Sequence, residues 1–391
     1  MEPACTSQRR RRTSDLCLIV AFFVLLWLPT LDSLFYLDRA PTPNEKRLPN
    51  VFPKWSEPEV SPKAYLAGLE AWFNDHFGFR KRLIRLHSKW KRDIFKDSSL
   101  ADVIVGRDGW LFYGGGRMID NHRGTSLLST NDLRAWQELL EARRDWLARR
   151  GIRYLFVVAP NKESIYPEQL PEWLATPGST RKLDQFITHL RAHSTVEVLD
   201  LRPPLLEAKR AGRVYLLTDS HWNARGAFAG YQALLRAIGR QLPGVEPLPL
   251  QAFEQTTEDA GGGDLANMLG QERTIKERGV IRLVPKPPLA PLEVLDATAP
   301  DPKGFTHERR PRFTECSGQR HRIVLFRDSF ASAWQKMLGL NFSRALYVWQ
   351  PHWNTSVIER ERPDMVIDEM LERYFNERDP QELRREDALP K

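Results

Sequence analysis

The chain has 391 residues, 41% of them hydrophobic and 28% charged, an ordinary globular composition with room for one large domain or two smaller ones. A mean hydropathy of −0.47 excludes a polytopic membrane protein. The formal net charge is +8, yet no Lys/Arg run is interleaved with aromatics as nucleic-acid binders require, so nucleic acid is excluded as a partner.

The first forty residues depart from that average. Arg9, Arg10, Arg11 and Arg12 precede an apolar run over 16–37, broken at Asp32. Crossing a bilayer core takes roughly 20 residues of helix, and arginines before the span keep that end in the cytoplasm. The pattern predicts a cytoplasmic tail over 1–15 and an uncleaved transmembrane signal-anchor over 16–37, with everything beyond it exported. A cleaved signal peptide has a shorter run and small residues at the cleavage site, whereas Leu34-Phe35-Tyr36-Leu37 stands here. Four arginines and two acids lie within 1–15, so the exported part keeps about +6, a charge that suits an acidic polymer or anionic headgroups. Of the three cysteines only Cys316 is exported, and no intramolecular disulfide is expected.

Six prolines across 38–62 make a stiff tether. The exported domain is expected over 63–376, beginning with a helical stretch over 64–97 that is interrupted near Gly78. A hairpin follows over 103–113 around Asp108-Gly109, then an amphipathic helix over 130–150 capped by Thr130 or Asn131. Residues 154–158 are a continuous apolar run of the kind found inside a parallel sheet, ending at Pro160-Asn161-Lys162. Helices over 179–193 and 204–211 flank a strand over 196–200. A strand over 214–217 then runs into Asp219-Ser220-His221-Trp222-Asn223 and a helix over 225–241. A turn-rich insert over 243–318, with Gly261-Gly262-Gly263 read as a loop, separates this from a strand over 322–326. Arg327-Asp328-Ser329-Phe330 and a helix over 331–340 come next, then strands over 345–349 and 365–368 and a C-terminal tail over 377–391. Strands alternating with helices predict a doubly wound parallel α/β sheet.

Ligand sites of such sheets gather outside the carboxyl ends of the strands, where Asn161-Lys162, the 218–223 block and Arg327-Asp328-Ser329 converge. A serine hydroxyl attacks only when a base takes its proton, and the base needs a third group to fix its tautomer. Ser329, in a strand-to-helix turn, is the candidate nucleophile; the amides of the new helix are candidate oxyanion donors. His221 is the candidate base and Asp219 its orienting acid. A serine after a strand, taken alone, is a helix cap, and Asp-x-His alone is as weak; the convergence raises both. Asn161 reads as an oxyanion donor or a turn-closing residue, and Lys162 as a contact for a substrate carboxylate or a solvated lysine. Trp222 reads as a sugar-stacking or a packing residue, Asn223 belongs to the same block, and His352-Trp353 are candidates for an acceptor groove. Asp-x-His also ligates metal in metallophosphoesterases, but those need a later Asn-His-acid block. Here Asn121-His122 is upstream and followed by Arg123, so no metal is expected.

The Asp219 to Asn223 block, followed far downstream by a strand and Asp328-Ser329-Phe330, resembles the alginate O-acetyltransferase branch of the SGNH hydrolase superfamily. Residues 73–80, 103–113, Pro160-Asn161-Lys162 and Pro363-Asp364-Met365-Val366 match its style, so the resemblance covers about 70–375. It implies an SGNH hydrolase-like fold and a periplasmic O-acetyltransferase of an exopolysaccharide, by default alginate. The implied reaction passes through an acetyl-serine on Ser329, with His221 and Asp219, and needs no cofactor. The implied location is the bacterial inner membrane, with the catalytic domain in the periplasm beside other exopolysaccharide biosynthesis proteins. Acetyl-CoA is cytoplasmic, so acetyl groups must be relayed across the bilayer, which calls for a multipass membrane acyltransferase as partner. One position departs from the family, whose serine block reads Gly-Asp-Ser: Arg327 stands in place of the glycine, restricting the turn or setting a cation beside an anionic substrate. Two alternatives remain: an acetylesterase using the same acyl-serine, and a non-catalytic polysaccharide-binding scaffold.

Overall fold

The longest apolar runs of the chain become central strands because both of their faces are covered. In the strand Arg153–Ala159, the side chains of Leu155, Val157 and Ala159 enter one core, while Tyr154, Phe156 and Val158 enter a second on the opposite face. Ile323 and Leu325 alternate in the same way with Val324 and Phe326, and Ala345 and Tyr347 with Leu346 and Val348. The computed structural model describes residues 18–20, 22–24, 27–32, 35, 37, 50–53, 62–80, 82–83, 99–100, 102–286, 292–296, 310–387 and 389.

Residues 101–266 and 272–391 cluster as one unit, and residues 1–100 with 267–271 as another. In the larger unit the elements are β1 (Val103–Val105), β2 (Leu111–Tyr113), α1 (Thr130–Ala148), β3 (Arg153–Ala159), α2 (Lys182–His193), β4 (Val198–Asp200), α3 (Arg202–Lys209) and α4 (Ala224–Gln241). They continue as β5 (Phe253–Gly261), β6 (Lys276–Pro285), β7 (Leu292–Asp296), β8 (Arg312–Cys316), β9 (Arg322–Phe326), β10 (Arg344–Val348), α5 (Thr355–Glu361), β11 (Met365–Leu371) and α6 (Pro380–Asp387). The main sheet has the order β4-β3-β11-β9-β10-β8-β7. Strands β4, β3, β11, β9 and β10 are parallel, with Phe326 beside both Val348 and Asp368. Helices α1 and α2 cover one face through Trp136, Trp146, Phe186 and Leu190, and α4 covers the other through Tyr231, Leu234 and Ile238. This is the expected doubly wound α/β architecture.

Several boundaries move. The sheet is mixed at one edge, because β8 pairs antiparallel with β10, and β7 antiparallel with β8. Both strands come from the 243–318 segment, so that segment is no turn-rich insert: it also holds the antiparallel ribbon β5–β6. Residues 214–217 form no strand. One bridge, Tyr215 to Trp222, closes a loop there. The expected tail over 377–391 contains α6, whose Leu383 and Asp387 are buried. The cap of α1 is Ser129: its hydroxyl accepts from the Asp132 amide at 3.1 Å, and Asp132 accepts the Ser129 amide at 2.9 Å, a reciprocal box one residue ahead of the expected caps. The larger unit starts at 101 rather than 63.

In the smaller unit the helix Pro62–His76 ends before the turn at Gly78, as expected. Buried Asp32 accepts the Phe79 amide at 2.7 Å. The tail over 1–15 lies outside the described residues, as does the tether apart from 50–53 and Pro62. The expected span over 16–37 is described in pieces, helical at 18–20, 22–24, 27–32 and 35. Among the described residues no helix is long and apolar enough to cross a membrane.

Candidate active site

Ser329 follows β9 at the sheet's carboxyl edge and begins the short helical turn Phe330–Trp334. It makes no capping bond with that turn. Its hydroxyl lies 2.8 Å from His221 Nε2, and His221 Nδ1 lies 2.7 Å from Asp219 Oδ1. A carboxylate can only accept, so Nδ1 carries the hydrogen and Nε2 accepts from the serine. Phe330 backs the imidazole, ring to ring at 4.8 Å. Burial alone would raise the Asp219 carboxyl, but the hydrogen bond and charge of His221, with the amides of Asp264 and His221, hold it well below the usual carboxylate range. A cleft lined by Tyr113, Met118, Asn161, Ser220, Phe330 and Arg373 flanks the three.

The loop bearing Asp219 and His221 has no sheet to satisfy its backbone, so side chains from elsewhere do it. Glu277 of β6, 2% exposed, accepts the Leu217 amide, the Thr218 amide and the Thr218 hydroxyl, each at 2.7 Å. Asp264 accepts the Ser220 amide at 2.7 Å and its hydroxyl at 2.6 Å. Lys162 Nζ donates to the carbonyls of Leu111, Leu217 and Asp219 at 2.7, 2.9 and 3.0 Å. Burial pulls this ammonium down to about 7, while Asp219, Glu277 and Asp264 hold it up. Three acceptors match the three hydrogens of an ammonium, one more than an amine carries. Two glycines let neighbours close in. A Cβ on Gly226 of α4 would lie 2.2 Å from the Val214 carbonyl, and one on Gly263 would lie 2.4 Å from Asp219 Cβ.

The sequence-level candidates around the three residues change roles. Lys162 is 3% exposed and faces backbone, so it is neither a solvated lysine nor a substrate clamp. Asn223 caps α4, accepting the Gly226 amide at 3.1 Å and donating to the Arg213 carbonyl at 2.6 Å, which makes it structural. Trp222, 4% exposed, packs on Phe330 and Trp334 at 5.0 Å each and offers no face to a sugar. Asn161 stays on the cleft, but its side-chain Nδ2 donates to Glu163 at 2.8 Å and its Oδ1 accepts the backbone amide of Arg373 at 3.1 Å. Trp353 is buried against Phe326 and donates to Asp368 at 2.6 Å, in the core on the α1 face. His352 faces Glu386 of α6 at 3.5 Å. Neither lines the cleft.

Arg327 causes no strain, because its φ is not in the left-handed region where glycine is favoured. Its guanidinium folds back to the Asp328 carbonyl at 3.0 Å and the Ser332 hydroxyl at 2.8 Å, over the Trp349 ring at 4.8 Å. Burial lowers it to about 10, so it stays charged under the turn rather than beside a substrate. The Phe330 amide donates to Asp328 at 2.9 Å, which removes one expected oxyanion donor.

Sequence reasoning missed Asp264 and Glu277. The Gly261-Gly262-Gly263 run before Asp264 was the available signal, since consecutive glycines mark close backbone approach. Asp219, His221 and Asp264 also bring ligand atoms within 4.8 Å of one another, a spacing compatible with a metal ion. Each of these residues already has protein partners at those atoms.

Replacing Lys162 by Met takes a donor from each of its three carbonyls, of which Leu217 keeps the Leu111 amide at 3.0 Å. Stranding a buried acceptor costs about 1–3 kcal/mol, so Lys162→Met is expected to melt several degrees lower. It should also lose more than tenfold in kcat through the loosened Asp219, as checked by thermal unfolding and ester turnover. Full turnover in a folded variant would show that the loop holds without the lysine.

The chain is a doubly wound α/β domain that brings a serine, a histidine and an aspartate together beside a cleft. Residues 103–286 match the family model described as the SGNH hydrolase-like domain of the acetyltransferase AlgX. The resemblance to alginate O-acetyltransferases read from the sequence extends to curated relatives. A probable alginate O-acetylase AlgJ of Pseudomonas putida is 32% identical over 173 residues, 43% of this chain and 42% of that protein. One from Azotobacter vinelandii is 27% identical over 225 residues, 56% and 54% of the two chains. The chain spans about half the length of the curated relatives it matches. Among solved structures, PatB1 of Bacillus cereus superposes with a TM-score of 0.54 at 16% identity, covering 70% of this chain and 96% of that one, a likeness of fold.

Proposed function

We propose that this chain is a periplasmic O-acetyltransferase that acetylates an exopolysaccharide, alginate by default, through an acetyl-serine on Ser329. The observation that carries the reading is the Asp219–His221–Ser329 relay, at 2.7 and 2.8 Å, beside a cleft. The acetyltransferase names of the matched domain and relatives supply the acyl group.

His221 Nε2 takes the Ser329 proton as Oγ bonds to the acetyl carbon, and the imidazolium so formed is held by Asp219. The tetrahedral oxyanion is assigned to the amide of Ser329, the Phe330 amide being engaged. The donor's leaving group departs with the proton from Nε2. A sugar hydroxyl then gives its proton to Nε2 and attacks the acetyl carbon, and Ser329 leaves and is reprotonated.

We place the chain at the inner membrane by a helix within 16–37. Leu18, Phe22, Phe23 and Trp27 are all more than half exposed there, as expected of a helix whose apolar sides meet lipid. A multipass membrane acyltransferase is the proposed source of acetyl groups, alongside the other proteins that make the polymer.

The test is to incubate the full chain with a chromogenic acetyl ester and a mannuronate oligosaccharide, then analyse protein and sugar by mass spectrometry. Acetyl on Ser329 and on the sugar is expected. Acetyl on Ser329 with only free acetate released would assign an esterase. An unmodified Ser329, with no turnover, would leave a binding scaffold.

A further inference from the structure

His221 Nδ1 faces two carboxylates. Asp219 Oδ1 takes its hydrogen at 2.7 Å, and Asp264 Oδ2 stands at 3.5 Å. We propose that Asp264 is a positioning residue for the base, a second carboxylate that shares the imidazolium formed when Ser329 gives up its proton. This rests on the acyl-transfer reading above.

Asp264 is aimed rather than adjacent by chance. The amide and hydroxyl of Ser220 fix its two oxygens, and its own amide donates to Asp219 Oδ2 at 2.8 Å. Each acid therefore braces the other, and Gly263 permits the approach because no Cβ fits against Asp219. Only Asp219 is close enough for a hydrogen bond of full strength, so Asp264 acts by charge. Its side chain is 12% exposed and that of His221 28%, which leaves the pair only partly screened by water. The other groups facing the ring are the Ser329 hydroxyl and the Phe330 ring, with the Lys162 ammonium behind Asp219. None of these offers a second negative charge. Beside the neutral imidazole Asp264 only holds the Ser220 turn and Asp219 in place; its charge tells as the imidazolium forms in the transition state, where stabilisation counts toward rate.

Hydrolysis of p-nitrophenyl acetate by the full chain reads the acylation step. Asp264→Asn keeps the shape and removes the charge. It is expected to lower kcat about tenfold with KM unchanged and to move the acid limb of the kcat/KM profile about one unit to lower pH. Ser220→Ala removes the hydroxyl that partly neutralises Asp264, and is expected to move the same limb to higher pH. In an Asp219→Asn background, Asp264→Asn should cost more than in wild type, since it then removes the last carboxylate on Nδ1. Limbs that stay in place in both single variants, or an equal or smaller cost in the Asp219→Asn background, overturn the proposal; Ser220→Ala decides if Asp264→Asn does not fold. A wild type that never turns over the ester overturns the acyl-transfer reading, and this proposal with it.

Discussion

Ser329→Ala is expected to lower acyl transfer by about 10⁶-fold while leaving the melting temperature within a degree or two of wild type. The asymmetry follows from the contacts. The Ser329 hydroxyl caps nothing and bonds to His221, and one partly exposed hydrogen bond contributes about 1 kcal/mol to stability. Its chemical role has no substitute, since Ser329 supplies the hydroxyl that meets Nε2. His221→Ala should lose as much, and the Ser329/His221 double variant little more than either alone, because the residues of such a relay act as a unit. Asp219→Asn should lose about 10⁴-fold by releasing the tautomer. The measurements are ester turnover, mass of the acyl-enzyme and thermal unfolding of each variant. Turnover retained in Ser329→Ala, or a cost that simply adds across the double variant, would contradict the assignment.

What could be read from the chain tracks how locally each feature is encoded. Residues 154–158 and 322–326 are legible because a strand buried on both faces must be apolar throughout, and its carboxyl end then marks the site. The ribbon β5–β6 escapes the same test: in β5 every residue from Glu254 to Asp259 is exposed, so no alternation announces it. Helix α6 is as opaque, with Leu383 and Asp387 its inward-facing side chains after Pro380. At the site, Ser329 is legible because it follows a strand, and Asp219 and His221 because an acid two residues before a histidine has a recognisable chemistry, although the strand expected before them is a loop. Glu277 and Asp264 reach the same loop from 59 and 44 residues away, a distance over which spacing carries no signal. Lys162 misleads because a lysine after a strand looks solvated, and only the fold shows three carbonyls waiting for it.

The largest stability effect is expected far from the cleft, at Arg143 of α1. Its Nε and Nη2 bind both oxygens of Asp387 at 2.7 and 2.9 Å, and its Nη1 binds Asp368 at 2.9 Å, with all three residues no more than 4% exposed. Tyr154 and Trp353 each donate to Asp368 at 2.6 Å, and the guanidinium lies 4.9 Å from the Trp353 ring. This one cation therefore ties α1, β11 and α6 together. The two carboxylates outweigh burial and hold it firmly protonated, while burial raises Asp368 despite the arginine. Arg143→Met leaves two buried acids facing each other, and breaking such a pair costs about 3–5 kcal/mol. The pH dependence has a definite sign. Burial already raises Asp368, and without the cation it holds its proton more tightly still than in the unfolded chain, so its contribution is full at low pH and is lost as pH rises through its folded value. The deficit should be small near pH 4 and largest at neutral pH. Urea unfolding should show a lower midpoint with an unchanged slope, and adding Asp387→Asn to Arg143→Met should recover part of the loss. A deficit that does not vary with pH would mean that Arg143 acts through packing on Trp353 rather than through charge.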